Sequence, residues 1–147
     1  MTLKNLLAIH KLVAHKPSRD GIAKLLVAAA RNITDAKATN ISGENRFDAA
    51  YKAIMQCAMA ALWANGYRTS TSQPGHHQIA IQALPKTIGL DSGTVIVLDA
   101  LRKQRNLSDY EGDPISDGAV DASIENAMQL YERVTDWIKA NRADLIE

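Results

Sequence analysis

Apolar residues recur at three- and four-residue steps along almost the whole chain, and clean alternation is nearly absent, a pattern that predicts an all-α protein. The clearest stripe runs from about Glu44 to Asn65, where Phe47, Ala50, Tyr51, Ile54, Cys57, Ala58, Ala61 and Leu62 line up as one buried face. A second long amphipathic helix is predicted near the C-terminal end. Its apolar side takes Val120, Ile124, Ala127, Met128, Tyr131, Val134 and Ile138, and Glu125, Gln129, Glu132 and Asp136 occupy the other side. Upstream, Ser18 is placed to cap a helix carrying Ile22, Leu25, Leu26, Ala29, Ile33 and Ala36. Pro17 separates it from a shorter helix suggested by Leu3, Leu6, Leu7, His10 and Val13.

Two further helices complete the pattern. One is expected from about His76 to Leu84, stopped or kinked by Pro85. The other runs from Ser92 to Leu107 with Val95, Leu98 and Leu101 inward. The Val-Ile-Val run ending at Val97 is strand-like by propensity, but it is short and leads into a helical Leu-Asp-Ala-Leu-Arg-Lys pattern, so helix is preferred. Turn-forming residues cluster at Thr39 to Gly43, Arg68 to Gly75, Gly89 to Gly93 and Glu111 to Pro114, none long enough to be an interdomain linker. With no repeat, heptad run or low-complexity tract, the expected architecture is a compact antiparallel bundle of five to six helices, one domain over residues 1–147.

Length agrees with that picture, because 147 residues make one ordinary domain. A chain of this size buries roughly two-thirds of its unfolded surface, enough to fold without disulfides or a structural metal. Cys57 is the single cysteine and lies within an apolar helical stripe, so it is expected to pack as a small hydrophobe. No apolar run approaches a membrane span, and the N-terminus lacks the pattern of a secretory signal, so a cytoplasmic protein with no membrane association is expected. The net charge of +1 gives no strongly basic field, so nucleic-acid contact would have to come from a local patch.

The richest local chemistry is Arg102-Lys-Gln-Arg-Asn-Leu-Ser-Asp-Tyr110, a basic helix end that changes sign and runs into Glu111-Gly-Asp-Pro114. Arg102, Arg105, Asn106, Asp109 and Tyr110 are linked by three- and four-residue steps and share one face if the helix continues through Tyr110. Arg105 suits an anionic ligand, because guanidinium is always charged and presents a planar donor fork. The bland alternative is structural: Arg105 pairs with Asp109, Asn106 bonds a neighbouring helix and Tyr110 closes the bundle end. His76 and His77 are adjacent and have no third partner at metal-ligand spacing, so no metal site is expected and no cofactor is implied. They belong to a helix start after Pro74-Gly75, or one of them lines the same cleft as Arg105.

Other motifs fail. Counted from Asp109, an EF-hand loop needs Gly at its sixth position and Glu at its twelfth, where this chain has Pro114 and Val120. The acidic residues Asp109, Glu111, Asp113, Asp117 and Asp121 read as a solvated loop and helix start. There is no phosphate-binding glycine loop, serine elbow or zinc-protease motif, and Tyr67-Arg68 is only a small basic site.

The succession of a long helix ending Ala-Asn-Gly-Tyr-Arg68, then Pro-Gly-His-His77 opening a helix, then Leu-Arg-Lys-Gln-Arg-Asn-Leu-Ser-Asp-Tyr110 resembles the HEPN superfamily, closest to its small stand-alone bacterial members. The likeness covers roughly Asn45 to Trp137. It implies a helical bundle in which this helix end meets its counterpart in a second subunit across a shared polar cleft. Active members carry Arg, four to six residues, then His, and are metal-independent ribonucleases, often toxins paired with a nucleotidyltransferase-like antitoxin. Arg105-Asn106 match the start of that motif, but no histidine follows His77.

The missing histidine matters chemically. RNA cleavage by the 2′-hydroxyl needs a base, an acid and positive charge near the phosphate, and His moves protons near neutral pH. Tyr110 and Asp109 are poor substitutes, since an unperturbed phenol titrates at about 10 and an unperturbed Asp at about 4. The leading expectation is therefore a homodimeric HEPN-like protein that binds RNA, a nucleotide or a protein partner through Arg105-Asn106, with ribonuclease function lost or altered. Its context by resemblance is a toxin-antitoxin or stress-response system with a nucleotidyltransferase-like or other operon partner. The competing expectations are an active ribonuclease using Asp109, Tyr110 or His76/His77 in place of the family histidine, and a structural adaptor whose apolar face docks a partner.

Overall fold

Short polar side chains start each of the four long helices. In the computed structural model, which describes residues 2–72 and 74–146, helix α2 (Arg19–Ala36) follows Ser18, whose hydroxyl accepts from the Gly21 amide at 3.0 Å. Helix α3 (Gly43–Ala64) begins after Ser42, helix α6 (Ser92–Glu111) after Asp91, and helix α7 (Asp117–Asn141) after Ser116. Each cap accepts from an amide in the first turn, at 3.1, 2.9 and 3.1 Å respectively, satisfying a donor that the helix itself leaves open. Shorter helices fill the gaps: α1 (Leu3–Ala8), α4 (His76–Gln82) and α5 (Leu84–Thr87), with a closing 3-10 turn at Ala143–Leu145.

The all-α expectation holds, and the described residues form seven α-helical segments, more than five to six, because α5 adds a short segment beyond Leu84, where the expected helix ends. Pro85 lies in the first turn of α5, where a missing N–H costs nothing, so it starts a new segment. The predicted N-terminal helix is also shorter than expected. His10 takes a left-handed φ of 62°, and Val13 falls in strand β1 (Leu12–Ala14), which pairs antiparallel with β2 (Tyr67–Thr69). Three-residue strands leave no readable period, and their pairing across more than fifty residues has no local signature.

Helix α3 is the centre of the bundle, flanked chiefly by α2 and α7. The expected stripe is buried in full, but Ala53, Met55, Ala60 and Ala64 are buried as well, so the helix is enclosed on more than one face. Its many alanines let neighbouring helices approach closely. On α7 the inward face is rotated from the expected one: Leu130 and Ser123 are buried, while Met128 is 44 % exposed. Ser123 is tolerated inside because its hydroxyl donates to the Val120 carbonyl at 2.7 Å. Cys57 packs in the core, where burial pushes its thiol up to about 12, so it stays a thiol near neutral pH.

Two ties set the position of α6 and the chain end. Glu44 Oε2 accepts from the Ile115 amide at 3.2 Å, fastening the α6–α7 connection to the start of α3. Arg142 Nη1 donates to the Ala64 carbonyl at 2.9 Å, fastening the end of α7 to the end of α3. Helix α6 runs through Tyr110 to Glu111 and stops at Gly112, whose φ of 73° suits the left-handed cap. Its companion is α4, which leans on it and on α3. No helix among the described residues is long and apolar enough to cross a membrane.

Candidate functional site

Because α6 continues through Tyr110 and α4 packs beside it, two segments well separated in sequence face one another. Gly75, His76, His77 and Gln78 from the start of α4, and Arg102, Arg105, Asn106 and Tyr110 from α6, line one open cavity of about 240 Å³. That volume lies below the ~300 Å³ typical of sites that enclose a whole small molecule. The cavity is open, with room for an anionic group and part of the molecule that carries it. Of the candidate residues, only Asp109 does not line the cavity, and it enters as a partner of Arg105.

Arg105 is held from three sides. Its guanidinium carbon lies 5.4 Å from the ring centroid of Tyr51, within cation–π range. Its Nε is 2.8 Å from Asp109 Oδ2 and 3.7 Å from Asp48 Oδ1. Asp109 lies off the N–H direction and Asp48 is beyond hydrogen-bond reach, so Arg105 Nε and Asp48 Oδ1 are buried in ionic contact without a hydrogen bond. Arg102 is held more conventionally, its Nε donating to Asp99 Oδ1 at 2.9 Å. This bond keeps the Asp99 carboxyl below its ordinary range, and Lys103 adds a 3.6 Å contact. Among the described residues, no protein hydrogen bond engages the terminal Nη amines of Arg102 or Arg105.

Behind the cavity wall, Tyr51 is 2 % exposed and its hydroxyl sits 3.1 Å from Nδ1 of His77. Burial pushes the phenol up to about 12, against the opposing pull of Arg105 and Arg102, so the hydroxyl keeps its proton. Burial also lowers the His77 pKa from its ordinary 6.5, helped by His76, Arg105 and Arg102, so this imidazole is uncharged at neutral pH. His76 meets it edge-on at 4.7 Å and is itself exposed.

The structural alternative for this helix end is only partly realised. Arg105 does pair with Asp109, but Asn106 has no side-chain hydrogen bond to a neighbouring helix among the described residues. Tyr110 does not close the bundle end, since it is 79 % exposed. It stands at the cavity rim and continues onto the outer face of α6, where Ile96 and Leu107 are also exposed. Tyr67-Arg68 lies in β2 and takes no part in the lining. His15 meets Trp63 in a tilted ring contact at 4.6 Å and does not line the cavity. Among the described residues no three His, Cys, Asp or Glu side chains are grouped to hold a metal ion.

Three residues of this arrangement escape a reading of the sequence. Tyr51 falls on the core stripe and looks like packing, although a buried phenol always needs a partner for its hydroxyl, which is the signal that could have singled it out. Asp99 is readable as the i,i+3 partner of Arg102. Asp48 approaches Arg105 across the bundle and has no local signature.

The site thus combines two arginine forks, an uncharged imidazole, a second histidine and two amide side chains, Gln78 and Asn106, around one open space. No family model matches this chain, and no curated protein matches it either.

Proposed function

We propose that this cavity binds a phosphate of RNA or of a nucleotide, and that the protein is a binding protein and not a ribonuclease. The observation that carries this reading is the convergence of His77, Arg102, Arg105 and Asn106 on one cavity, where the Nη amines of both arginines make no protein hydrogen bond among the described residues. Planar guanidinium forks match phosphate oxygens two at a time, and Asn106 adds a neutral donor. Tyr110, exposed at the rim, supplies a face on which a base can stack.

Net charge contributes little. Arg102, Lys103 and Arg105 are balanced by Asp48, Asp99 and Asp109. Attraction therefore rests on donor geometry, which fits recognition of one phosphate in a particular place better than a broad nucleic-acid footprint. The test is fluorescence anisotropy of a short single-stranded RNA with wild type and Arg105→Ala. Loss of a charge-assisted hydrogen bond costs about 1.5–3 kcal/mol, so the variant should bind at least tenfold more weakly while keeping its helical circular dichroism. Equal affinity removes the site assignment.

A second reading has one observation in its favour. His76 and His77 line the same cavity as the arginines, where an active ribonuclease would need them in place of the histidine missing after Arg105. It requires metal-independent RNA cleavage that disappears in Arg105→Ala and in His77→Ala. Intact RNA across substrates and pH rejects it.

The HEPN-like affiliation, the second subunit and the toxin-antitoxin or stress-response setting remain parts of the same proposal. Support for a second subunit comes from Ile96, Leu107 and Tyr110, which are exposed along one side of α6 next to the cavity.

A further inference from the structure

The hydroxyl of Tyr51 has one hydrogen-bond partner among the described residues, Nδ1 of His77. Around it, the Arg105 guanidinium over the ring is a donor only and has no lone pair to offer. Asp48 Oδ1 is buried without any hydrogen bond and so does not take the phenolic hydrogen. Among the described residues that hydrogen has one acceptor, Nδ1 of His77. Were His77 instead protonated on Nδ1 and donating to the phenol, the phenolic hydrogen would be left buried and unpaired, whereas the reverse arrangement leaves only spare lone pairs on oxygen.

We propose that Tyr51 is a positioning residue: it donates to Nδ1 of His77, fixes the tautomer that carries its hydrogen on Nε2, and thereby gives the cavity a neutral hydrogen-bond donor for an anion. The inference deepens the phosphate-binding reading and rests on it for the identity of the ligand. The groups facing His77 are His76, edge-on at 4.7 Å, and the guanidiniums of Arg102 and Arg105. All of them oppose a second proton on the ring. With Nδ1 occupied by the phenol, the Nε2–H is the ring's remaining polar group, so His77 joins the arginine amines and Asn106 as donors around one space.

This arrangement also separates binding from cleavage. A general base for a 2′-hydroxyl needs a free nitrogen lone pair on the substrate side, and in this tautomer the lone pair of the imidazole is turned to Tyr51. His77 then recognises phosphate oxygens without taking a proton from the ribose.

The experiment is a long-range proton–nitrogen correlation spectrum of the histidine rings in the 15N-labelled full chain at neutral pH, with His77 identified by its loss in His77→Gln. The expected pattern is a protonated Nε2 and an unprotonated Nδ1 in wild type, giving way to mixed tautomers in Tyr51→Phe. Titration with inorganic phosphate should shift the Nε2–H signal, and Tyr51→Phe should raise the phosphate Kd about threefold to tenfold. A wild-type His77 protonated on Nδ1 overturns the inference, as does an unchanged tautomer in a folded Tyr51→Phe; if that variant does not fold, the wild-type spectrum decides alone. An intact Nε2–H pattern with no response to phosphate defeats the ligand reading while leaving the tautomer assignment standing.

Discussion

The hydroxyl of Tyr51 and Nδ1 of His77 lie 3.1 Å apart although 26 residues separate them in sequence. Through that contact the core helix α3 reaches the wall of the cavity between α4 and α6. Removing only the hydroxyl, in Tyr51→Phe, should destabilise the fold by about 1 kcal/mol, the usual net worth of one hydrogen bond. Tyr51→Ala, which also empties core volume, should cost about 3–5 kcal/mol. Urea denaturation of the two variants measures both, and equal losses would mean that the hydroxyl, not the ring, dominates.

Acid should weaken the fold through His77. Its folded pKa lies below the ordinary 6.5, so the unfolded chain binds the proton more readily than the folded one. The contribution of the neutral ring is therefore fully present above pH 6.5 and is lost as pH falls through the lower folded value. Denaturation midpoints followed downward from neutral pH should fall less steeply in His77→Gln than in wild type. Parallel curves for the two proteins would contradict the assignment.

Charge alone should not restore Arg105. Lysine keeps the positive charge but loses the planar fork and the guanidinium stack over Tyr51. Arg105→Lys should bind short RNA at least about threefold more weakly than wild type, a difference that anisotropy titration resolves. Full recovery in lysine would show that only charge matters at this position.

The cap at Ser116 tests how the site helix is held. Its hydroxyl accepts from the Ala119 amide at 3.1 Å, next to the Glu44–Ile115 tie that fastens the end of α6 to α3. Ser116→Ala should cost about 1 kcal/mol in thermal or urea unfolding, with RNA binding little changed. A loss below a few tenths of a kcal/mol would show the cap to be redundant with that tie.

The exposed side of α6 bears on assembly. Ile96, Leu107 and Tyr110 are 69 %, 45 % and 79 % exposed; Ile96 lies about three turns before Leu107 and about four before Tyr110, and Leu107 and Tyr110 are an i,i+3 pair, so all three share one side. If a second copy covers that side, sedimentation should give a dimer for wild type and a monomer for Leu107→Asp with unchanged helicity. A wild-type monomer at high concentration contradicts the expected homodimer.

Much of this was legible because local rules govern it. The α3 stripe from Phe47 to Leu62 and the Ser18 cap follow from periodicity and capping chemistry within a few residues. Adjacency of Arg102, Arg105, Asn106 and Tyr110 follows from helical spacing alone. What stayed hidden depends on contacts across the bundle. The β1–β2 pairing, the Glu44 tie to Ile115 and the approach of Asp48 to Arg105 join residues with no local relation. Tyr51 was visible but misleading, since its ring belongs to the core and its hydroxyl to the site. The arrival of His77 beside Arg105 depends on how α4 packs, which no spacing rule specifies.

The most direct measurement of the central claim is an NMR titration of the labelled full chain with a nucleoside monophosphate, following side-chain signals of arginine, asparagine and histidine. The predicted result is saturable shifts at His77, Arg102, Arg105 and Asn106, abolished in Arg105→Ala. Shifts absent from these residues at millimolar ligand, or confined to basic side chains elsewhere such as Arg68, would contradict it.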